Sequence, residues 1–241
     1  MIKMDKIANY TIENLQIRCF YNEENSGDII YLNTDFEGVE SALSELENML
    51  KKCSKNVILP VFAAIEGERW GHDLSPWPAP GVFRDAGDFT GGAPEYLKKL
   101  IEDVMPVVEQ TLFGPKNELR RGILGYSLGG LFAFWSLFAC NAFDCAASVS
   151  GSLWYDGFVE YARSTAFQKK PIAVYLSVGD QEHKTRNKRM AAVERCLEEC
   201  RVLCNERDIP VLSERNPGNH FVNVPVRIAK ALYYLTEQLQ Q

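Results

Sequence analysis

The sequence has no apolar run of the roughly 20 residues that a membrane-spanning helix needs, which excludes such a helix. It has no excess of positive charge either, because 26 lysines and arginines stand against 32 acidic residues, for a net charge of −6. Nucleic acids and anionic lipid surfaces are bound through basic patches, so neither partner is expected. The first ten residues lack the apolar core of a secretory signal, which favours a cytoplasmic location.

The cysteines show no pairing pattern. Their number, seven, is odd, and none forms a C-x-x-C motif. Cys196, Cys200 and Cys204 recur at every fourth residue, but Val193 and Leu203 continue the same apolar stripe of a predicted helix. A buried cysteine behaves as a small apolar side chain, so the stripe predicts core packing and no metal site. No cofactor is expected, and free thiols fit a reducing compartment.

Predicted strands and helices alternate along the chain. The segments that predict strands are 15–21, 28–33, 56–65, a run that ends at 123–124, 146–150, 171–179 and 209–214. Apolar residues at helical spacing predict helices that include residues 36–50, 97–108, 131–135, 193–204 and 224–235. This alternation predicts an α/β fold, with a mostly parallel central sheet and helices on both faces. The first two strands, joined by the polar segment "NEENSGD", are expected to form a hairpin and hence an antiparallel edge. Since no linker is found, residues 1–241 are predicted to form a single domain.

The segment "RRGILGYSLGGLFAFW" places Ser127 between a short apolar run and an apolar helix. In the G-x-S-x-G motif a strained strand-to-helix turn raises a serine hydroxyl above the sheet, and the glycines leave room around it. The segment therefore predicts a nucleophile elbow. The alternative is an ordinary tight turn in which Ser127 only caps the helix.

An elbow requires an acid after a later strand and then a histidine near the C-terminus. The segment "VGDQEH" offers Asp180 and Glu182, and a solvated capping turn is the alternative interpretation there. His220 in "NPGNHF" follows the last predicted strand, whereas His72 precedes the elbow and His183 belongs to the acid segment. The predicted roles are serine as nucleophile, histidine as base and a carboxylate that orients the imidazole.

A hydrolase of this kind also needs two N–H donors for the oxyanion of its tetrahedral intermediate. The first is expected to be the backbone N–H of Leu128, directly after the nucleophile. The second is expected from the loop after "VFAAI", at Glu66 or Gly67.

The loop from 66 to 92 is rich in Gly, Pro and Trp, and a loop of this length is more often functional than a connector. Arg69, Trp70 and Trp154 are candidate substrate-binding residues, because tryptophans on loops suit an aryl-binding cleft. The alternative is that Trp77 and the prolines pin the loop to the body. Asp73 is expected to hold the loop by hydrogen bonds.

Several segments, spread over about residues 55 to 225, resemble the esterase-D-like branch of the α/β-hydrolases, especially the enterobactin and bacillibactin (siderophore) esterases. They are "RWGHDLSPWPAPG", "FTGGAPEYLKKLIEDVMPVVE", "GYSLGG", "SGSLWY", "YLSVGDQE" and "NPGNHF". The resemblance implies the α/β-hydrolase fold and a cofactor-free serine hydrolase of carboxylic esters. It implies Ser127 as nucleophile, His220 as base and Glu182 as acid, with Asp180 in reserve. Trp70, three residues before Asp73, departs from the family, which tends to carry arginine at that position.

The resulting hypothesis is a serine esterase that acts on a small-molecule ester of aryl or siderophore type. The same serine in an acyltransferase is one alternative, and a catalytically silent binding protein on this scaffold is another.

Overall fold

The computed structural model describes residues 4–53, 57–82, 87–115 and 118–241. The strands in these ranges are Lys6–Ile12 (β1), Leu15–Tyr21 (β2), Ile29–Asn33 (β3), Val61–Glu66 (β4), Pro78–Ala79 (β5), Phe89–Thr90 (β6), Arg121–Tyr126 (β7), Cys145–Val149 (β8), Ala173–Gly179 (β9) and Val211–Asn216 (β10). The α-helices are Phe36–Leu50 (α1), Trp70–Asp73 (α2), Ala93–Lys99 (α3), Met105–Phe113 (α4), Leu128–Ala139 (α5), Phe158–Ser164 (α6), Val193–Glu206 (α7) and Val224–Leu239 (α8). A π-helical turn, Leu100–Val104, joins α3 to α4, and a 3₁₀ turn, Met190–Ala192, precedes α7.

Eight strands form one sheet in the order β1-β2-β4-β3-β7-β8-β9-β10. The six strands from β4 to β10 in this order are parallel, whereas β2 is antiparallel to both β1 and β4. β5 and β6 form a separate two-stranded ribbon within the long loop. The predicted α/β class, with a mostly parallel sheet and an antiparallel edge, is confirmed.

Helices cover both faces of this sheet. One apolar core lies between the sheet and the helix pair α1 and α8, and a second core lies between the sheet and the helices from α3 to α7. Every residue of β3, β8 and β9 is buried, as expected for strands covered on both sides. The cysteine stripe of α7 is buried in the second core, which confirms the packing prediction. Within the described ranges, no helix combines the length and apolarity that a bilayer crossing requires.

The predicted hairpin between the first two strands is wrong. β2 pairs with β1, a strand that was not predicted, through a tight turn at Glu13 and Asn14. Glu13 has a φ of 52°, the left-handed conformation that such a turn uses. β3 instead lies between β4 and β7 and is parallel to both. The polar segment after β2 is therefore a connection across the sheet and not a hairpin turn.

The order of the strands determines which loops can share a site. β7, β9 and β10 are parallel, so their carboxyl ends lie at the same edge of the sheet. Ser127 follows β7, Glu182 follows β9 and His220 follows β10. Ligands of open α/β sheets bind at this edge, so the fold brings the three predicted catalytic residues to the expected location.

Candidate active site

Ser127 occupies a strained turn between β7 and α5. Its backbone has a φ of 56° and a ψ of −119°, a region that residues with side chains rarely occupy. The strain is held by hydrogen bonds: its N–H donates to the carbonyl of Val149 at 3.0 Å, and its carbonyl accepts from the N–H of Ser152 at 2.9 Å. The Ser127 side chain makes no capping bond to α5, so the turn is not an ordinary N-cap.

Glycines around this turn allow a contact that any side chain would block. A Cβ atom on Gly125 would lie 2.1 Å from the carbonyl oxygen of Gly129, and one on Gly129 would lie 2.5 Å from the carbonyl oxygen of Asn33. Both distances are far below van der Waals contact. The first turn of α5 therefore packs directly on the backbone at the end of β3.

We expect Gly129→Ala to destabilise the protein by about 1–3 kcal/mol or more, because backbone must move to admit the methyl group. Chemical denaturation measures the loss. Gly71→Ala is the control, since the nearest atom to a Cβ there is a side-chain carbon of Phe89 at 4.0 Å. A Gly129→Ala protein as stable as its Gly71→Ala counterpart would contradict the close packing of α5 on β3.

The side chains of Ser127, His220 and Glu182 form one chain of contacts. Nε2 of His220 lies 3.0 Å from Oγ of Ser127, and Nδ1 of His220 lies 2.7 Å from Oε2 of Glu182. The Glu182 side chain is 5% exposed and that of His220 is 24% exposed. The arrangement thus joins a hydroxyl, an imidazole and a buried carboxylate in series.

Glu182 is held in its ionised form. Burial on its own raises the pKa of this carboxyl, but the hydrogen bond and charge of His220, together with the N–H of Gly179, outweigh it and hold the pKa below the ordinary value. The Gly179 N–H donates to Oε1 at 2.6 Å, which leaves Oε2 to face His220. A negative charge beside Nδ1 is therefore available at neutral pH.

The other acid and the other histidines make different contacts. Asp180 is exposed, and its Oδ1 accepts a hydrogen bond from the N–H of Gly218 at 2.9 Å. His183 contacts Glu194, and His72 contacts Thr90. None of the three takes part in the Ser127–His220–Glu182 chain.

Two residues that the sequence analysis missed hold the histidine loop. The hydroxyl of Tyr126 donates to the carbonyl of His220, and the two rings lie 5.1 Å apart between centroids. The guanidinium of Arg227 donates to the carbonyl of Asn219 at 2.8 Å. Arg227 lies three residues after Val224, on the apolar face of a predicted helix. A charge on that face was the signal that could have identified it.

A family model named Esterase matches residues 11–221. The chain belongs to this esterase family. Among curated proteins, the uncharacterized protein YbbA of Bacillus subtilis is 28% identical over 127 residues, which are 52% of this chain and 51% of YbbA. The siderophore enterobactin esterase of Emericella nidulans is 31% identical over 105 residues, 40% of this chain and 34% of that protein. The aligned parts thus span about half and a third of these two relatives.

The chain also resembles solved structures over nearly its whole length. The siderophore hydrolase EstA from Aspergillus nidulans superposes with a TM-score of 0.73 at 21% identity, covering 96% of this chain and 94% of EstA. This likeness shows the α/β-hydrolase fold. Together with the family match, it confirms the resemblance to siderophore esterases that the sequence motifs predicted.

The strand order separates Glu66 and Gly67 from the elbow strand, which argues against the prediction that one of them supplies the second N–H donor. Glu66 is the last residue of β4 and Gly67 follows it, and β3 lies between β4 and the elbow strand β7. Gly67 packs instead on the β1–β2 turn, where its carbonyl accepts a hydrogen bond from the Asn14 side chain at 2.9 Å. The carboxylate of Glu66 accepts from the N–H of Phe36 at the start of α1.

Leu128, the other predicted donor, is the first residue of α5, where backbone N–H groups have no acceptor one turn earlier.

Arg69 and Trp70 follow Gly67 in the long loop. Asp73 accepts from both the backbone and the side chain of Arg69, at 2.8 and 2.9 Å, and so holds the loop as predicted. Arg69 lines a pocket of about 410 Å³ that it shares with the β1–β2 turn and α3, and none of the serine, histidine or acid residues lines it. The Trp70 side chain is 42% exposed. The substrate-binding role of Arg69 and Trp70 therefore stays a prediction.

Trp154 and Trp77 make contacts of different kinds. Trp154 follows closely on Ser152, whose N–H bonds the Ser127 carbonyl, and the guanidinium of Arg189 lies 5.7 Å from its ring centroid. Trp77 packs against Tyr155 and donates from Nε1 to the carbonyl of Asp156 at 2.8 Å. Trp77 thus pins the long loop to the body, whereas Trp154 stands two residues after a direct backbone partner of Ser127.

Proposed function

We propose that the protein is a serine carboxylic ester hydrolase in which Ser127 is the nucleophile, His220 the base and Glu182 the orienting acid. The observation that carries the proposal is the unbroken chain of contacts from Ser127 Oγ through the His220 ring to the buried carboxylate. Serine is a weak nucleophile until a neighbouring base takes its proton, and this geometry supplies that base.

In the proposed mechanism Ser127 Oγ attacks the ester carbonyl carbon while Nε2 of His220 takes the hydroxyl proton. The carboxylate of Glu182 stabilises the resulting imidazolium. The tetrahedral intermediate collapses, the alcohol leaves with the proton from Nε2, and an acyl-enzyme remains. Water then attacks the acyl group by the same steps, which releases the acid and restores the Ser127 hydroxyl.

Two backbone N–H groups are proposed to stabilise the oxyanion. One belongs to Leu128, as the sequence predicted. The other belongs to Thr34, in the loop between β3 and α1, because β3 is the strand beside the elbow strand. Thr34 is 5% exposed and directly follows Asn33, whose carbonyl packs on the first turn of α5. Each such donor contributes about 3–4 kcal/mol of transition-state stabilisation in hydrolases where one was removed.

The proposed substrates are small-molecule esters of aryl or siderophore type. One relative is named a siderophore enterobactin esterase, and aromatic side chains flank the proposed triad. Phe221, beside His220, is 80% exposed, and its ring lies 5.2 Å from the imidazole in an edge-to-face arrangement. The partial exposure of His220 lets water reach the base, which favours hydrolysis over acyl transfer. The cytoplasmic location remains part of the proposal.

Labelling with a fluorophosphonate probe tests the proposal. We expect the wild-type protein to react at Ser127 alone, with the modified peptide identified by mass spectrometry, because only an activated serine attacks the probe. His220→Ala should not label, since the base is gone, whereas His183→Ala should label at the wild-type rate. A wild-type protein that resists the probe, or that labels at another serine, would contradict the proposed function and favour a silent binding protein.

A further inference from the structure

Arg227 is a fully buried cation beside the proposed triad. It lies in the first turn of α8 and is 1% exposed. A buried charge costs several kcal/mol unless hydrogen-bonding partners surround it, so a guanidinium in this position needs a set of fixed acceptors. Those acceptors come from three different loops.

The guanidinium joins the acid loop to the histidine loop. Its Nη1 donates to Oε1 of Glu182 and to Oγ of Ser150, both at 2.9 Å. Its Nη2 donates to the carbonyl of Pro217 at 3.1 Å and to that of Asn219 at 2.8 Å. One rigid group therefore fixes the carboxylate and also the backbone on the N-terminal side of His220.

The backbone around Arg227 is shaped to admit it. A Cβ atom on Gly179 would lie 2.4 Å from the carbonyl oxygen of Gly218, 2.7 Å from Nη2 and 3.0 Å from Nη1, so only glycine leaves room for both the histidine loop and the guanidinium at the end of β9. Ser150 adopts a φ of 48°, which is unusual for serine, and its hydroxyl accepts from Nη1. Both constrained positions are thus in direct contact with the guanidinium of Arg227.

We propose that Arg227 is a positioning residue for catalysis: its planar fork sets the distance and orientation between Glu182 and His220. This rests on the proposed function, because it assigns Arg227 a role within that triad. Oε1 is bound by Arg227 and by Gly179, so only Oε2 remains for Nδ1 of His220. Lysine can replace the guanidinium only in part, since an ammonium supplies the positive charge but cannot bind both loops in one plane.

The first test is kinetic. We expect folded Arg227→Met to lose about a hundredfold in kcat on a p-nitrophenyl ester with KM changed by less than about threefold, because the triad is misaligned while the substrate contacts remain. Arg227→Lys should recover part of the loss. Thr236→Val is the control: Thr236 is buried on the same helix, about two and a half turns further along, and should keep full kcat. Folded Met and Lys variants with wild-type kcat would overturn the proposal.

The second test asks whether Arg227 acts through Glu182. In a double-mutant cycle, adding Arg227→Met to the Glu182→Gln variant should lower kcat by less than about fivefold further, because the group that Arg227 orients is already disabled. Losses that multiply fully would show that Arg227 only supports the fold, and would overturn the proposal.

The third test needs no activity. The proton between Nδ1 of His220 and Glu182 should give a far-downfield ¹H NMR resonance that His220→Ala removes. We expect this resonance to be lost or shifted in Arg227→Met and in Arg227→Lys, and unchanged in Thr236→Val. If the wild-type protein hydrolyses no ester, the proposed function fails while this measurement still decides the role of Arg227. An unchanged resonance in both Arg227 variants would overturn it.

Discussion

Ser127→Ala is expected to lower kcat for p-nitrophenyl ester hydrolysis by at least about 10⁵-fold, because removal of the serine from comparable triads costs about a millionfold. The hydroxyl oxygen is the atom that becomes bonded to the acyl group, and no other hydroxyl takes its place next to His220 Nε2 in the described contacts. The measurement is kcat on purified protein whose circular dichroism matches that of the wild type.

Ser136→Ala is the matched control for this prediction. Ser136 is fully buried on the helix that begins at the elbow, and its hydroxyl donates only to the carbonyl of Ala133 within that helix, at 2.8 Å. The same chemical change there should leave kcat within about twofold, since it removes one local hydrogen bond. A folded Ser127→Ala enzyme with near wild-type turnover would remove Ser127 from the mechanism.

Local patterns predicted the parts of the fold that depend on local chemistry. The spacing of Gly125, Ser127 and Gly129 predicted a strained elbow because the motif is contiguous in the sequence, and a Cβ atom on Gly125 would meet the carbonyl oxygen of Gly129 only four residues later. The period of apolar residues predicted α1, α5, α7 and α8 for the same reason. Chain order was enough to predict His220 as the base, since His72 precedes the elbow and His183 belongs to the acid segment.

Pairing between distant segments was not predictable in this way. The prediction of a hairpin between the first two strands failed because neighbouring strands in sequence are not always neighbours in the sheet. The prediction of the second N–H donor has the same weakness: the loop after β4 was expected beside the elbow, whereas β3 is the strand that pairs with the elbow strand. The acid shows the same limit, since the residues alone left Asp180 and Glu182 open, and only the folded contacts separate them.

Arg227 illustrates a third kind of limit. A sequence shows that a charge falls on the apolar face of a helix, but not which buried acceptors surround it. Here the acceptors lie after β8, β9 and β10, between 8 and 77 residues away along the chain. A buried network of this kind forms only after the sheet order is established, so its function can be inferred only from the folded structure.

Glu182→Gln is expected to lower kcat by about 10³–10⁴-fold with little change in the fold. Gly179 N–H and Arg227 Nη1 both donate to Oε1, so the glutamine carbonyl oxygen will occupy that position. The amide nitrogen then faces Nδ1 of His220 and donates to it. This forces the imidazole proton onto Nε2, which can no longer accept the proton of Ser127.

Asp180→Asn is the control that separates the two acids. The Asp180 side chain is exposed, and the asparagine oxygen can still accept from the N–H of Gly218, so kcat should stay within about threefold of the wild type because no catalytic contact is lost. Steady-state kinetics on both variants, with stability checked by chemical denaturation, compares them directly. Loss of the orienting carboxylate must weaken the step in which Ser127 gives up its proton. If kcat fell about a thousandfold in Asp180→Asn and not in Glu182→Gln, Asp180 would therefore be the orienting acid, and the Glu182–His220 contact would have only a structural role.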